Sequence, residues 1–201
     1  MGKKVIGIVG SYRKGGIIDS AIDTILMAAA EKGAVTEKIY LIDQHIEFCK
    51  NCRKCTQEEG PQRGVCVQKD DMDNILTSIE ESDAIVIGSP VNFGNVTAVT
   101  QRFIERLVCY GYWPWGKPGP ALRVKDRRKK AVLVTSSAMP AFMGRFFTSA
   151  LRSLKSAATT LGATPIGSLY IGKAALYEKQ ELPPDIASKA KKLGHELATD
   201  G

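Results

Sequence analysis

Short apolar runs alternate along this chain with longer stretches in which apolar residues recur every three or four positions. The short runs predict β-strands at residues 5–9, 35–42, 83–88, 131–135 and 165–171. The periodic stretches predict helices at residues 18–30, 72–82, 99–108, 147–161 and 184–198. Because strands and helices alternate, the pattern predicts an α/β fold, a parallel sheet with helices on both faces.

Two long segments interrupt this alternation: a cysteine loop at residues 43–71 and an aromatic loop, rich in proline, at residues 110–126. Loops of such length inside a compact domain are uncommon and usually functional. The chain has 201 residues and contains no repeat or linker-like segment. Residues 1–201 are therefore expected to form a single domain that includes both loops.

A ligand site is predicted where the first, third and fourth strands end. Residues 10–16, 89–95 and 136–138 follow these strands and are rich in Gly, Ser and Asn. Doubly wound sheets bind their ligands at the carboxyl ends of the strands, where the strand order reverses. The three loops are therefore expected to form one site.

The first of these loops, residues 10–16, has the composition of an anion-binding loop. Its three glycines let the backbone approach a ligand closely, and Ser11, Arg13 and Lys14 add a hydroxyl and two cations. The P-loop pattern is excluded because Gly16 stands where that pattern requires Lys. The G-x-G-x-x-G fingerprint of dinucleotide-binding folds is also absent. A phosphate group is the expected ligand, and a simple tight turn is the alternative.

Four cysteines form the sharpest motif in the sequence, with the spacing Cys49-x2-Cys52-x2-Cys55-x10-Cys66. Three thiolates at this spacing converge from one loop, and a fourth returning from a short excursion completes a [4Fe–4S] site. A zinc site needs the same ligand types, and free or redox-active thiols are a third interpretation. Cys109 lies on the apolar side of a predicted helix and is expected in the core.

The net charge of +7 includes a dense basic run at residues 123–130. We interpret this run as a solvated face, since no basic stripe interleaved with aromatics and no nucleic-acid-binding module accompanies it. An anionic cofactor and an acidic protein partner each account for the charge. No apolar run has the length of a membrane span and no signal sequence is apparent. A cytoplasmic location without nucleic-acid or membrane partners is expected.

Three motifs carry a family resemblance: Gly10-Ser-Tyr-Arg13, Ser89-Pro-Val-Asn-Phe-Gly-Asn95, and a cysteine loop ending in Cys66-Val-Gln-Lys-Asp-Asp-Met72. In combination they resemble the NAD(P)H-dependent FMN reductases, and within these the iron–sulfur flavoproteins, over residues 3 to about 170. The resemblance implies a flavodoxin-like three-layer sandwich with a five-stranded parallel sheet of order 2-1-3-4-5. It also implies bound FMN, NAD(P)H as electron donor, and a homodimer or homotetramer.

Carried over residue by residue, the resemblance implies a set of FMN contacts. The phosphate would be held by Ser11, Arg13 and the following backbone at Gly15, Gly16, Ile17 and Ile18. The isoalloxazine ring would be wrapped by Pro90, Val91, Asn92, Phe93, Gly94 and Asn95, and flanked by Ser136 and Ser137. Ile17 and Ile18 depart from the family, which often has Asn and Thr or Ser there, so fewer side chains would contact the phosphate.

The function implied by the resemblance is that of an FMN-dependent oxidoreductase moving electrons from NAD(P)H to flavin, quinone or another small acceptor. The flavin performs the hydride chemistry, so no catalytic side chain is required. One alternative is an iron–sulfur flavoprotein that carries electrons. Its cluster would exchange electrons with an acidic partner such as a ferredoxin, attracted by Lys50, Arg53 and Lys54. A second alternative is a flavin-binding module without turnover.

Two further expectations concern the aromatic loop and the basic run. Trp113 and Trp115 are expected at a subunit interface or in the pocket over the flavin, because a proline-rich loop is a poor place to bury two indoles. Residues 123–130 are candidates for contact with the 2′-phosphate of NADPH.

Overall fold

A computed structural model describes residues 2–126, 128–178 and 180–199 of the chain. Its strands and helices are β1 (Lys4–Val9), α1 (Ile17–Glu31), β2 (Val35–Tyr40), α2 (Met72–Glu80), β3 (Ala84–Pro90), α3 (Ala98–Arg106), β4 (Gly111–Tyr112), β5 (Ala121–Leu122), β6 (Lys129–Ser136), α4 (Ala141–Phe147), α5 (Ala150–Thr160), β7 (Ala163–Ile171) and α6 (Pro184–Ala198). Every predicted strand is present, and the helix predicted over residues 147–161 begins later, at Ala150, after a separate helix that was not predicted.

Five strands form a single sheet in the order β2-β1-β3-β6-β7. Each neighbouring pair in this sheet is parallel. Apart from the short strands β4 and β5, this is the order 2-1-3-4-5 of a flavodoxin-like sheet, so the predicted fold is confirmed. The strand order reverses between β1 and β3, and the carboxyl ends of these strands therefore border the crevice in which such folds bind ligands.

The sheet is covered on both faces, because its central strands are apolar at nearly every position. Side chains that alternate along β1, β3 and β6 point to opposite faces. One face packs against α1 and α6 through residues such as Ile22, Ile25 and Leu193. The other face packs against α2, α3 and α5 through residues such as Ile75, Phe103 and Leu154. This double cover explains the uninterrupted apolar runs in the sequence.

The helix predicted over residues 147–161 is α5, which begins only at Ala150, because Phe147 is the last residue of a separate helix, α4. Thr148 adopts an extended conformation (φ −124°, ψ 150°), which ends α4. The N–H of Ser149 then donates to the carbonyl of Gly94 at 2.7 Å, a bond to another loop. The periodicity places Phe147 on the buried face with Leu154, but its side chain is 71% exposed because it belongs to the separate helix α4.

The aromatic loop contains regular structure that its composition does not reveal. Strands β4 and β5 pair as an antiparallel hairpin at either end of its tryptophan-rich stretch. No helix in the described ranges combines the length and apolar character needed to cross a bilayer.

Candidate functional site

The three predicted loops meet at the carboxyl edge of the sheet. The N–H of Gly10, after β1, donates to the carbonyl of Gly88 in β3 at 2.7 Å. The N–H of Val91, after β3, donates to the carbonyl of Ser136 at the end of β6, also at 2.7 Å. The structure therefore brings residues 10–16, 89–95 and 136–138 together, as the sequence predicts.

Two threonines at the start of α3 fix the first loop. The hydroxyls of Thr97 and Thr100 both donate to the carbonyl of Gly10, at 2.6 and 3.1 Å. A Cβ at Gly10 would lie 1.9 Å from the Thr100 hydroxyl, so a larger residue has no room there. Neither threonine was predicted from the sequence to take part in the site, although Thr97 directly before an amphipathic helix is a typical N-cap.

The first loop itself presents mainly backbone groups. Ser11 is buried, and its hydroxyl accepts the N–H of Arg13 at 3.1 Å. Gly16 is the N-cap of α1, so Ile17 and Ile18 form the first turn, where backbone N–H groups lack helical acceptors. The side chain of Ile18 is 1% exposed and packs in the core. These two isoleucines therefore offer an anion only their N–H groups.

Asp19 is a buried carboxylate that sequence reasoning did not assign to the site. It accepts the N–H of Gly15 at 2.6 Å and pairs with Lys38 of β2 at 2.9 Å. The hydroxyl of Tyr40 donates to the same carboxylate at 3.0 Å. Burial alone would raise the pKa of Asp19, but hydrogen bonds from Gly15, Lys38 and Tyr40 outweigh it and hold the pKa below its usual range.

The second loop is a tight hairpin with a strained aromatic tip. Asn92 and Asn95 exchange backbone hydrogen bonds at 2.7 and 3.0 Å. Phe93 and Gly94 between them have φ of 47° and 78°, the left-handed region that an aromatic residue rarely adopts. The Phe93 side chain is fully exposed. An apolar ring held in solvent by a strained backbone is typical of a ligand contact.

The third loop contributes buried hydroxyls. Ser136 and Ser137 are both buried, and the Ser137 hydroxyl donates to the carbonyl of Met139 at 3.1 Å. The hydroxyl of Thr135, just before them, is buried and has no hydrogen-bond partner. Beyond this loop, α4 exposes the aromatic side chains of Phe142, Phe146 and Phe147. The edge thus combines a loop that presents backbone N–H groups, a set of buried hydroxyls and several exposed aromatic rings. N–H groups and hydroxyls can bind a phosphate, and aromatic rings can pack on a flavin, so the edge fits a phosphorylated flavin.

The four motif cysteines line one narrow cavity of about 20 Å³, together with Cys109 and Arg106. Burial raises the pKa of Cys55, and the nearby thiols of Cys66, Cys49 and Cys52 raise it further. Burial also raises the pKa of Cys109 to about 12, and this residue lies in the core as predicted. Within residues 2–126, 128–178 and 180–199, no three His, Cys, Asp or Glu side chains are arranged to hold a metal ion.

A buried ion pair anchors the cysteine loop to α3. The guanidinium of Arg106 bonds both carboxylate oxygens of Asp70, and the two side chains are 2% and 1% exposed. The same guanidinium donates to the carbonyl of Glu47 at 2.8 Å and to the sulfur of Cys66 at 3.5 Å. Asp70 also accepts the N–H of Met72, the first residue of α2, at 3.2 Å. Arg106 was not a candidate in the sequence, because it looks like an ordinary helix cation.

Arg123 and Arg53 join the cysteine loop to the aromatic loop. Arg123 is buried, and its guanidinium donates to the carbonyls of Glu58, Gly60 and Cys55 at 2.7, 3.1 and 3.3 Å. Arg53 lies between the rings of Trp113 and Trp115, at 3.7 and 4.1 Å from their centroids. Each tryptophan thus has its ring on the cysteine loop, a placement that was not predicted from the sequence.

The interpretation of residues 123–130 as a solvated basic face is wrong for Arg123, Lys129 and Lys130, because backbone carbonyls bind these three side chains. Arg123 is committed to loop carbonyls, and Lys129 donates to the carbonyls of Glu80 and Ser82. Lys130 donates to the carbonyls of Glu196 and Thr199. Backbone carbonyls at the ends of neighbouring elements attract these side chains. They are therefore poor candidates for the 2′-phosphate of NADPH, and Arg127 lies outside the described residues.

The fold and the three-loop edge define a doubly wound, flavodoxin-like α/β protein with a glycine-rich loop at its switch point. Residues 3–175 match the NADPH-dependent FMN reductase family, and the chain belongs to that family. The chain is 38% identical to an iron–sulfur flavoprotein of Archaeoglobus fulgidus over 60% of its own length and 54% of that protein. It is 41% identical to one of Methanocaldococcus jannaschii over 51% of each chain. The chain thus spans about half the length of the curated relatives it matches.

Solved structures of low sequence identity share the fold. An NAD(P)H:quinone oxidoreductase from Methanothermobacter marburgensis has a TM-score of 0.71 at 15% identity, covering 98% of this chain and 100% of that one. An FMN-dependent NADH-azoreductase from Bacillus anthracis, in complex with FMN, has a TM-score of 0.67 at 14% identity. That match covers 97% of each chain.

Proposed function

We propose that this protein is an FMN-dependent oxidoreductase that takes electrons from NAD(P)H and delivers them to flavin, quinone or another small acceptor. The observation that carries the proposal is the edge formed by three loops, with an anion loop at β1 and buried hydroxyls at β6. Membership of the FMN reductase family supports it. The fold shared with a quinone oxidoreductase and an azoreductase is consistent with it.

Each loop has a separate task in this proposal. Ser11, Arg13 and the N–H groups at the start of α1 bind the phosphate. Residues 90–95 contact one side of the isoalloxazine ring, and Ser136 and Ser137 contact the other. Bound FMN supplies the hydride-accepting chemistry at its N5 atom. The chain would hold the ring at the edge of the sheet where the Phe93 side chain is exposed, and a nicotinamide or an acceptor would approach it from solvent there.

The test is NAD(P)H oxidation by the FMN-loaded protein, measured without oxygen and with a quinone or free FMN as acceptor. We expect turnover that depends on both bound FMN and acceptor, and that is weakened by Arg13→Ala through loss of FMN affinity. Lys32→Ala is the matched control, because Lys32 is an exposed cation at the opposite end of α1. Tight FMN binding with negligible turnover would contradict the enzyme and favour the flavin-binding module.

A second candidate function adds a cluster to the flavin. We propose that Cys49, Cys52, Cys55 and Cys66 ligate a [4Fe–4S] cluster, and that the protein then exchanges single electrons with an acidic carrier such as a ferredoxin. The observation that favours it is the shared cavity of these four thiols, with the Arg106 guanidinium beside Cys66. Four thiolates are the ligand set that such clusters take. The cavity is narrow, so cluster insertion would move the loop outward.

The test of the cluster is an iron and sulfide assay with a visible spectrum on protein purified without oxygen. We expect about four iron and four sulfide per chain, and loss of both in Cys52→Ser. Cys109→Ser is the matched control, because Cys109 lines the same cavity but lies outside the motif. Flavin bands without iron in the wild-type protein would contradict the cluster and leave the reductase in place.

Assembly is a further part of the proposal. We propose a homodimer or homotetramer, because α4 exposes three phenylalanines beside the flavin edge. Light scattering on the purified protein gives the mass in solution. A mass of about one chain at micromolar concentration would contradict this assembly.

A further inference from the structure

Asp19 is a buried carboxylate in the first turn of α1, directly after the phosphate loop of residues 10–16, although the expected ligand of that loop is itself an anion. It is 2% exposed, and one of its oxygens accepts the Gly15 N–H at 2.6 Å. Its remaining partners come from β2: the ammonium of Lys38 at 2.9 Å and the hydroxyl of Tyr40 at 3.0 Å. These partners turn the carboxylate toward the sheet and balance its charge, so it is not a phosphate competitor.

The hydrogen bond from the Gly15 N–H to Asp19 sets the backbone orientation of the loop. Gly15 has φ of 70°, and a Cβ there would meet nothing within 4 Å, so its left-handed conformation is not imposed by crowding. The hydrogen bond to Asp19 holds that conformation and directs the Gly15 N–H inward. Within the described part of the chain, the N–H groups of Ile17 and Ile18 donate to no acceptor. These two N–H groups therefore lack an acceptor among the described residues, and a ligand anion at the start of α1 can supply one.

The loop has few other means of recognising a phosphate. Ile17 and Ile18 carry no hydroxyl or amide, and the Ser11 hydroxyl is engaged by the Arg13 backbone. Lys14 is paired with Asp43 at 2.6 Å. Since the Ser11 hydroxyl is shared with the Arg13 backbone, phosphate recognition depends mainly on the position of the α1 N–H groups and on Arg13, and hence on the residue that fixes the loop.

We propose that Asp19 is a positioning residue that sets the preference of this site for a phosphorylated flavin over riboflavin. The proposal rests on the proposed flavin-dependent function. Asp19 acts through Gly15 and does not touch the ligand. Without Asp19 the turn at Gly15 relaxes, and the N–H groups of the first helical turn no longer point to one place. The affinity lost is only the part that comes from contacts with the phosphate.

The test compares FMN and riboflavin, which differ only in the phosphate. The dissociation constant of each flavin is measured by fluorescence quenching on flavin-free protein. We expect Asp19→Ala to raise the FMN constant about tenfold or more, and to leave the riboflavin constant within about twofold. Asp23→Ala is the matched control, because Asp23 also pairs with Lys38 at 2.6 Å but does not contact the loop. It is expected to leave the FMN-to-riboflavin ratio unchanged.

Two further variants keep the test decisive if Asp19→Ala is poorly folded. Asp19→Asn retains an acceptor for the Gly15 N–H and is expected to keep most of the preference for FMN. Gly15→Ala strains the turn without a clash and is expected to weaken FMN alone. The proposal would be overturned if Asp19→Ala lost FMN and riboflavin affinity equally. It would also be overturned if Asp19→Asn lost as much of the preference for FMN over riboflavin as Asp19→Ala. A wild-type protein that binds neither flavin would instead overturn the proposed function.

Discussion

The phosphate loop at residues 10–16 and the cysteine loop at residues 43–71 both leave the regular sheet, but different forces hold them. The phosphate loop is short, and its ends are fixed by β1 and α1. A single carboxylate and two threonines complete it. The cysteine loop has only short turns of its own, such as the 3₁₀ turn Lys54–Thr56. Arg106 and Arg123 hold it by donating to its carbonyls and to Asp70.

This difference shows how a chain can build two loop regions with different tolerance to change. A loop between a strand and a helix inherits its geometry from backbone hydrogen bonds, so most side-chain substitutions there leave its path intact. A loop built around buried guanidinium groups depends on a few charges, and loss of one leaves polar groups buried without partners. The cysteine loop is therefore expected to be the more fragile of the two.

Removal of Arg106 gives the largest expected effect. Arg106→Met leaves the carboxylate of Asp70 buried without its cation, and we expect the free energy of unfolding to fall by about 3–5 kcal/mol. Urea unfolding followed by circular dichroism measures it. The double variant Arg106→Met with Asp70→Asn removes both partners and is expected to recover much of the loss. Equal losses in the single and double variants would mean that the ion pair is not what secures the loop.

Acid affects both regions, through one carboxylate in each. Hydrogen bonds and cations outweigh burial and hold the pKa of both Asp19 and Asp70 below the usual range. Their ionised forms therefore stabilise the fold fully above the unfolded-state pKa of about 3.9, and this contribution is lost as the pH falls from there through the lower folded pKa. Melting temperature measured across this range is expected to drop less steeply in Asp19→Asn and in Asp70→Asn. An unchanged slope in both variants would contradict this assignment.

The smallest effect is expected at the hairpin tip beside the phosphate loop. Phe93→Asn places a residue that tolerates positive φ where Phe93 has 47°, and we expect a gain of about 1 kcal/mol in stability. The same change should lower turnover, because the exposed ring is lost. Gly94→Ala is the opposite control, since Gly94 has φ of 78° and open space around it. A destabilised Phe93→Asn variant would show that the ring contributes packing.

The meeting of residues 10–16, 89–95 and 136–138 at one edge was predictable because the signals are local. Apolar runs and periodic apolar stretches predicted the strands and helices, and therefore the sheet. Gly, Ser and Asn after three of the strands predicted the edge where the loops meet. Asp19 was not predicted, since its partners Lys38 and Tyr40 lie on β2 and only the folded sheet brings them to α1. The division between α4 and α5 also escaped prediction, because the bond from Ser149 to Gly94 joins distant segments.

The cysteine region was predictable only as a ligand motif. The spacing of Cys49, Cys52, Cys55 and Cys66 is visible in the sequence, and the structure brings all four to one cavity. The arginines that support the loop are invisible to periodicity, because a cation on a helix face or in a basic run has the same pattern whether solvated or buried. Arg123 shows this most clearly: it begins a run of cations but lies buried among carbonyls.

The placement of the two tryptophans has a spectroscopic consequence. The chain contains only Trp113 and Trp115, and both rings stack on Arg53 of the cysteine loop. Intrinsic tryptophan emission therefore reports on the packing of the cysteine and aromatic loops, whereas far-ultraviolet circular dichroism reports on the sheet and helices. If the loops melt before the sheet, the two signals will follow different transitions, and the emission will register loss of the cysteine region in a protein whose fold is otherwise intact.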